Sequence, residues 1–106
     1  MHGLTIRWSL MDSPAGTDQL LRDYVRETSV EIYTGRAGLV QKTWQLAERG
    51  FFAGTYIWAT PQARADFVEH FRATPSPVSQ LLGHGPDIVQ EWELIGLAVG
   101  AEGPLA

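Results

Sequence analysis

An α+β fold built on an antiparallel sheet is predicted by three features of this 106-residue chain. Four stretches alternate their apolar residues with period two, as half-buried strands do. Two further stretches repeat apolar residues at helical spacing. One pair of strands is separated by so few residues that only a hairpin can join them.

The first strand is expected over residues 1–10, with Leu4, Ile6, Trp8 and Leu10 on one face and Thr5, Arg7 and Ser9 on the other. Asp12, Ser13, Pro14 and Gly16 then make a turn. Thr17 is the expected N-cap of a helix whose stripe is Leu20, Leu21, Tyr24, Val25, Thr28 and Ile32, and Gly35 stops it. The second strand, over 39–47, presents Val40, Lys42, Trp44 and Leu46 on one face. Glu48, Arg49 and Gly50 form a short loop in which Gly50 is expected to supply the positive φ, and a third strand begins at Phe51. Pairing Ala47 with Phe51 sets Lys42 opposite Tyr56 and Trp44 opposite Gly54, so the Trp44 indole is expected to lie over a residue without a side chain. Thr60 caps a second helix, Pro61 fills its first position, and Ala63, Phe67, Val68 and Phe71 form its buried stripe. A long connection over 74–87 holds an apolar turn at 78–82 and the segment Gly83, His84, Gly85, Pro86. The last strand is expected over 88–99, with Ile88, Gln90, Trp92 and Leu94 on the same face as the other tryptophans, followed by a Gly/Pro tail.

Strand, helix, strand, strand, helix, strand is the ferredoxin-like βαββαβ order, a four-stranded antiparallel sheet with both helices on one face and a single domain over 1–106. The even-numbered strand positions are the more apolar and are expected under the helices. The odd positions are mixed, and they suit a homodimer in which two sheets meet face to face and Arg7 pairs with Glu91 or Glu93.

Bulk composition narrows the function. A net charge of -4 without a Lys/Arg cluster speaks against nucleic acid, whose phosphates demand concentrated positive charge. No apolar run is long enough to span a bilayer, and the alternating N-terminal stretch does not resemble a secretory signal. The absence of cysteine fits a cytoplasmic protein and removes thiolate nucleophiles and cysteine-ligated metals. His2, His70 and His84 are far apart and follow no ligand spacing, so no metal site is expected. Small molecules and protein partners remain.

Trp8, Trp44, Trp58 and Trp92 each fall in a different strand, on its more apolar face. Such a concentration of indole either fills the core or lines a pocket for a flat organic molecule, because each indole carries an N–H that needs a partner. Within that pocket Lys42 and Tyr56 are candidates to stabilise a negative oxygen and His70 is a candidate base, while Phe67 joins the tryptophans as a binding surface.

Gly38, Leu39, Val40, Gln41, Lys42, Thr43 and Trp44, then Gly54, Thr55, Tyr56, Ile57 and Trp58, then a helix from Thr60 and Pro61 through Phe67, Val68, Glu69 and His70, resemble the YdhR-type monooxygenases. That family shares a G-(F/L)-x-x-K-x-W strand and a G-x-Y-x-(F/W) strand and belongs to the dimeric α/β-barrel superfamily. The resemblance spans residues 36–73. It implies a dimeric α/β barrel, and a cofactor-independent monooxygenase or tailoring enzyme acting on an aromatic or polycyclic molecule such as a polyketide. It also implies no metal or flavin. Non-oxidative cyclases and isomerases share the superfamily, and a non-catalytic small-molecule-binding protein would use the same pocket. The haem-degrading branch places a pocket tryptophan near Trp58, but its asparagine has no match in the first strand here and its histidine lies two residues before His70.

Overall fold

The computed structural model describes residues 1–105. Its strands are β1 (His2–Ser9), β2 (Leu39–Ala47), β3 (Phe51–Trp58) and β4 (Ile88–Glu93). Between β1 and β2 run α1 (Thr17–Tyr24), a π-helical stretch (Val25–Ser29) and α2 (Val30–Tyr33) without a break in the chain's helical course. Between β3 and β4 lie α3 (Pro61–Ala73) and a short α4 (Pro77–Leu82). The sheet is antiparallel in the order β2-β3-β1-β4, compatible with the expected ferredoxin-like arrangement.

The hairpin register is the expected one: Ala47 faces Phe51, Trp44 faces Gly54 and Lys42 faces Tyr56. Its loop differs in one respect. The left-handed residue is Arg49, at φ 59°, rather than Gly50. A β-bulge between Leu39 and Gln41 also turns Leu39, not Val40, to the face of Lys42, because an extra residue on one strand inverts the alternation beyond it. Over Gly54 lies the stem of Lys42 rather than the Trp44 indole: a Cβ there would come 3.1 Å from the Lys42 Cε.

The first helix starts one residue earlier than expected. Gly16, at φ 92°, occupies the cap position, and Thr17 is buried in the first turn with its hydroxyl donating to the Pro14 carbonyl at 2.8 Å. The inward stripe begins with Thr17 and Leu21 as α-helical spacing demands, but the π stretch inserts one residue and shifts the phase. Ser29 and Tyr33 therefore face the sheet in place of Thr28 and Ile32, and Ile32 is 53% exposed. The second helix follows expectation, with the Thr60 hydroxyl accepting from Ala63 N at 3.1 Å, Pro61 next, and Phe67 buried at its centre.

β4 ends at Glu93, six residues short of the expected strand. Its register pairs Leu4 with Glu91 and Ile6 with Val89, so its odd positions lie under the helices and its even positions on the open face, opposite to the parity of the other strands. Glu91 and Glu93 are thus on the helix side, where Glu91 meets Arg64 of α3 at 3.5 Å. Arg7, on the open face, lies with its guanidinium 3.9 Å from the centre of the Phe51 ring. The expected pairing of Arg7 with Glu91 or Glu93 is overturned for this reason. Trp92 is also on the open face. Its indole lies flat on Gly3, where any Cβ would overlap the ring, and donates to the Thr5 hydroxyl at 2.9 Å.

The core sits between the sheet and the helices: Leu4, Ile6, Trp8, Leu10, Leu21, Phe52, Tyr56, Trp58, Phe67 and Val78 are all buried. Among the described residues no helix is long and apolar enough to cross a membrane.

Candidate functional site

Where α2 and the C-terminal half of α3 pass over β2 and β3, the core opens into a cavity of about 310 Å³. The strands contribute Trp8, Trp44, Phe52 and Tyr56, the helices Tyr33, Phe67 and Phe71, and the segment from Thr74 to Val78 closes one end. Tyr33 packs edge-on against Trp44, Tyr56 and Phe67, with ring centres 6.1, 5.8 and 6.3 Å apart. The indole N–H groups that face this region are satisfied: Trp8 donates to the Ser79 hydroxyl at 3.0 Å and Trp44 to the Ser29 hydroxyl at 3.1 Å. Ser29 is buried at the end of the π stretch, so the phase shift that brings Tyr33 inward also provides the partner that fixes Trp44.

Lys42 is the only lysine of the chain; every other basic side chain except histidine is arginine. Its Nζ lies 3.6 Å from the centre of the Tyr33 ring, 4.4 Å from that of Tyr56 and 4.6 Å from that of Trp44, an aromatic cage on three sides. Among the described residues the ion pairs join Arg26 to Asp23 and Glu27, and Arg64 to Glu91; Lys42 has none. Arg36 reaches the same cavity from beyond α2, with its guanidinium 5.1 Å from the Tyr33 ring centre and 5.3 Å from that of Phe67. Burial, and then the Arg36 charge, lower the Lys42 pKa to about 7. Burial, reinforced by Tyr33, holds the Tyr56 phenol well above its usual range. Near neutral pH the site therefore offers an amine divided between its free and charged forms, and a phenol that remains a hydrogen-bond donor. Among the described residues no carboxylate lines the cavity to balance Lys42 and Arg36, so its charge is positive.

The structure brings together Lys42, Tyr56, Trp8, Trp44 and Phe67 of the expected site residues. His70 reaches the cavity rim from an exposed position on α3. Trp58 does not line the cavity: it is buried behind it, stacked on Tyr56 with ring centres 6.0 Å apart and tilted against Phe67 at 5.1 Å. Trp92 lies on the opposite face of the sheet, and exposed His84 has its Nδ1 3.0 Å from the Gly85 carbonyl, outside the cavity lining. Among the described residues no cluster of three or more His, Asp or Glu side chains is placed to hold a metal ion.

Sequence reasoning missed Tyr33, Arg36, Ser29 and the Thr74–Val78 wall. For the first three the hidden cause is the π stretch, since a strict 3.6-residue period points Thr28 and Ile32 inward instead. For the wall, Pro75 and Pro77 signalled an irregular connection but not which surface it covers.

No protein-family model and no curated protein matches the chain. Among solved structures, it is similar to the NE2512 protein of unknown function from Nitrosomonas europaea, with 15% sequence identity, a TM-score of 0.66 and 94% of each chain covered. This likeness establishes the shared α+β fold.

Proposed function

We propose that the chain is a cofactor-independent monooxygenase of the YdhR type, acting on an acidic aromatic or polycyclic small molecule such as a polyketide. One observation carries the reading: the sole lysine is caged by Tyr33, Trp44 and Tyr56 in an aromatic cavity, beside Arg36 and, among the described residues, without a carboxylate. A flat substrate with an acidic C–H next to a phenol or ketone fits such a site. The free amine of Lys42 takes that proton, directly or through water, and the ammonium so formed lies beside the new oxyanion, to which Tyr56 donates a hydrogen bond. His70 at the rim exchanges the proton with solvent. The substrate carbanion supplies the electrons for a C–O bond to O₂. Protonation and loss of water then break the O–O bond, so a CH₂ group and O₂ give a carbonyl and water.

The companion proposals are a cytoplasmic location and a homodimer closed into an α/β barrel through the open sheet face. Ile95, Leu97 and Val99, left exposed beyond β4, support the dimer. A second reading, a non-oxidative cyclase or isomerase or a non-catalytic binder, uses the same cavity and the same Lys42. O₂ uptake with polyphenolic anthrone-type compounds in metal-free, flavin-free buffer tests the oxygenase. Consumption that falls roughly 10- to 1000-fold in Lys42→Met supports it. Conversion that persists under argon favours the cyclase or isomerase, and tryptophan quenching without turnover favours the binder.

A further inference from the structure

The placement of the Lys42 amine allows a covalent role distinct from holding an oxyanion. Its stem crosses Gly54, where a Cβ would come 3.1 Å from Cε and 3.5 Å from the Tyr56 hydroxyl, so amine and phenol approach the cavity over the same bare patch of sheet. Among the described residues no carboxylate engages the Nζ, and aromatic rings flank it on three sides. An amine with its lone pair free, in a mostly aromatic pocket next to a second cation, is the setting in which lysine attacks carbonyl carbon.

We infer that Lys42 forms an imine with aromatic aldehydes or ketones bound in the cavity, Tyr56 polarising the carbonyl oxygen. The inference rests on the reading of the cavity as an aromatic ligand site, but not on its oxygen chemistry. The Nζ lone pair attacks the carbonyl carbon while the C=O π pair moves to oxygen, which accepts the Tyr56 hydrogen bond and gains a proton from solvent. The nitrogen loses a proton, the hydroxyl departs as water after gaining one, and a C=N double bond forms. Overall, the protonated amine and the carbonyl give an iminium and one water, with charge conserved and no oxidant or reductant. The groups facing Nζ support each stage: Tyr33 and Trp44 shield the iminium with their ring faces, and Arg36 favours the free amine before attack.

The chain makes the test unusually clean, because the only other primary amine is that of Met1. The native protein is incubated under argon at neutral pH with 2-hydroxy-1-naphthaldehyde and cyanoborohydride, which reduces an imine to a stable secondary amine. The adduct is then located by peptide mass spectrometry, and the reaction is repeated in denaturant. An amine titrating near 7 is free far more often at neutral pH than an unfolded lysine, so Lys42 is expected to be labelled roughly 10- to 1000-fold faster in the native chain than in the denatured one. In the denatured chain the adduct should move to Met1, since an α-amino group is then the more reactive. Labelling of Lys42 that is no faster in the native chain overturns the inference, as does a native adduct confined to Met1. The Lys42→Arg variant, which keeps the charge, must lose the internal adduct; an unchanged yield of internal adduct also overturns it. Because the trapping is done without O₂, its failure leaves the oxygenase reading standing. Successful trapping without O₂ uptake by the enzyme removes that reading and keeps the imine.

Discussion

At Lys42 burial acts on stability as well as on chemistry. Its pKa falls from 10.5 to about 7 on folding, so between those values the unfolded chain binds the additional proton and stability rises with pH. Below pH 7 both states are protonated and the cost of burying the charge, on the order of a few kcal/mol, is present in full. Lys42→Met is therefore expected to be more stable than the parent at pH 6, by an amount that shrinks by pH 9; urea titrations at the two pH values measure the difference. Trp58 poses a different problem: it is 2% exposed and its indole N–H finds no partner among the described residues. Trp58→Ala is expected to cost about 3–5 kcal/mol in chemical denaturation. Trp58→Phe should cost much less, because it removes an unsatisfied donor worth about 1–3 kcal/mol while keeping a ring against Phe67. Equal losses would show that the donor is satisfied in solution. That Lys42 and Tyr56 would meet was legible in the sequence, since a three-residue loop leaves a hairpin one register. That Trp58 stands behind the cavity was not, because alternation assigns a face but not a depth.

Elements were legible wherever local chemistry decides them and were lost wherever distant contacts do. Thr60 and Pro61 announce their helix, and the 39–58 hairpin carries its own register. The parity of β4, in contrast, depends on how it lies against β1. The Asp87 carboxylate accepts from Ser9 N, Asp87 N donates to the Arg7 carbonyl at 2.8 Å, and Arg64 of α3 donates to the carbonyls of Gly3 and Trp92, both at 3.1 Å. None of these partners is near in sequence, and together they rotate Trp92 away from the face shared by the other indoles. Arg64→Met retains the stem but removes both hydrogen bonds and the Glu91 contact. It is expected to destabilise the β1–β4 pairing by about 1–3 kcal/mol. Hydrogen exchange should show faster amide exchange in β4 and little change in the β2–β3 hairpin; uniform acceleration would mean that Arg64 supports the entire fold rather than one edge.

At the scale of the whole molecule, helices cover one side of the sheet and leave the other open. On that open side, Thr55 donates to the Gln45 side chain at 3.0 Å and Gln45 to the Thr43 hydroxyl at 2.7 Å, forming a neutral polar stripe beside Ala53 and Ile57. In the proposed dimer Thr55 lies in the contact, so Thr55→Glu would bury a charge there. Association is expected to weaken at least about tenfold, a change read by light scattering across a micromolar dilution series. An unchanged dimer would place the contact elsewhere. The layers and strand order of the molecule could be anticipated from its pattern of periods, whereas its site depended on one irregular turn. That turn has a genetic meaning. A helix advances 100° per residue, so removing any one residue from Val25–Ser29 would restore an unbroken α-helix and swing Tyr33 and Arg36 aside from Lys42. A single codon therefore separates a fold whose lysine is caged and charge-crowded from the same fold with a lysine that has lost both neighbours.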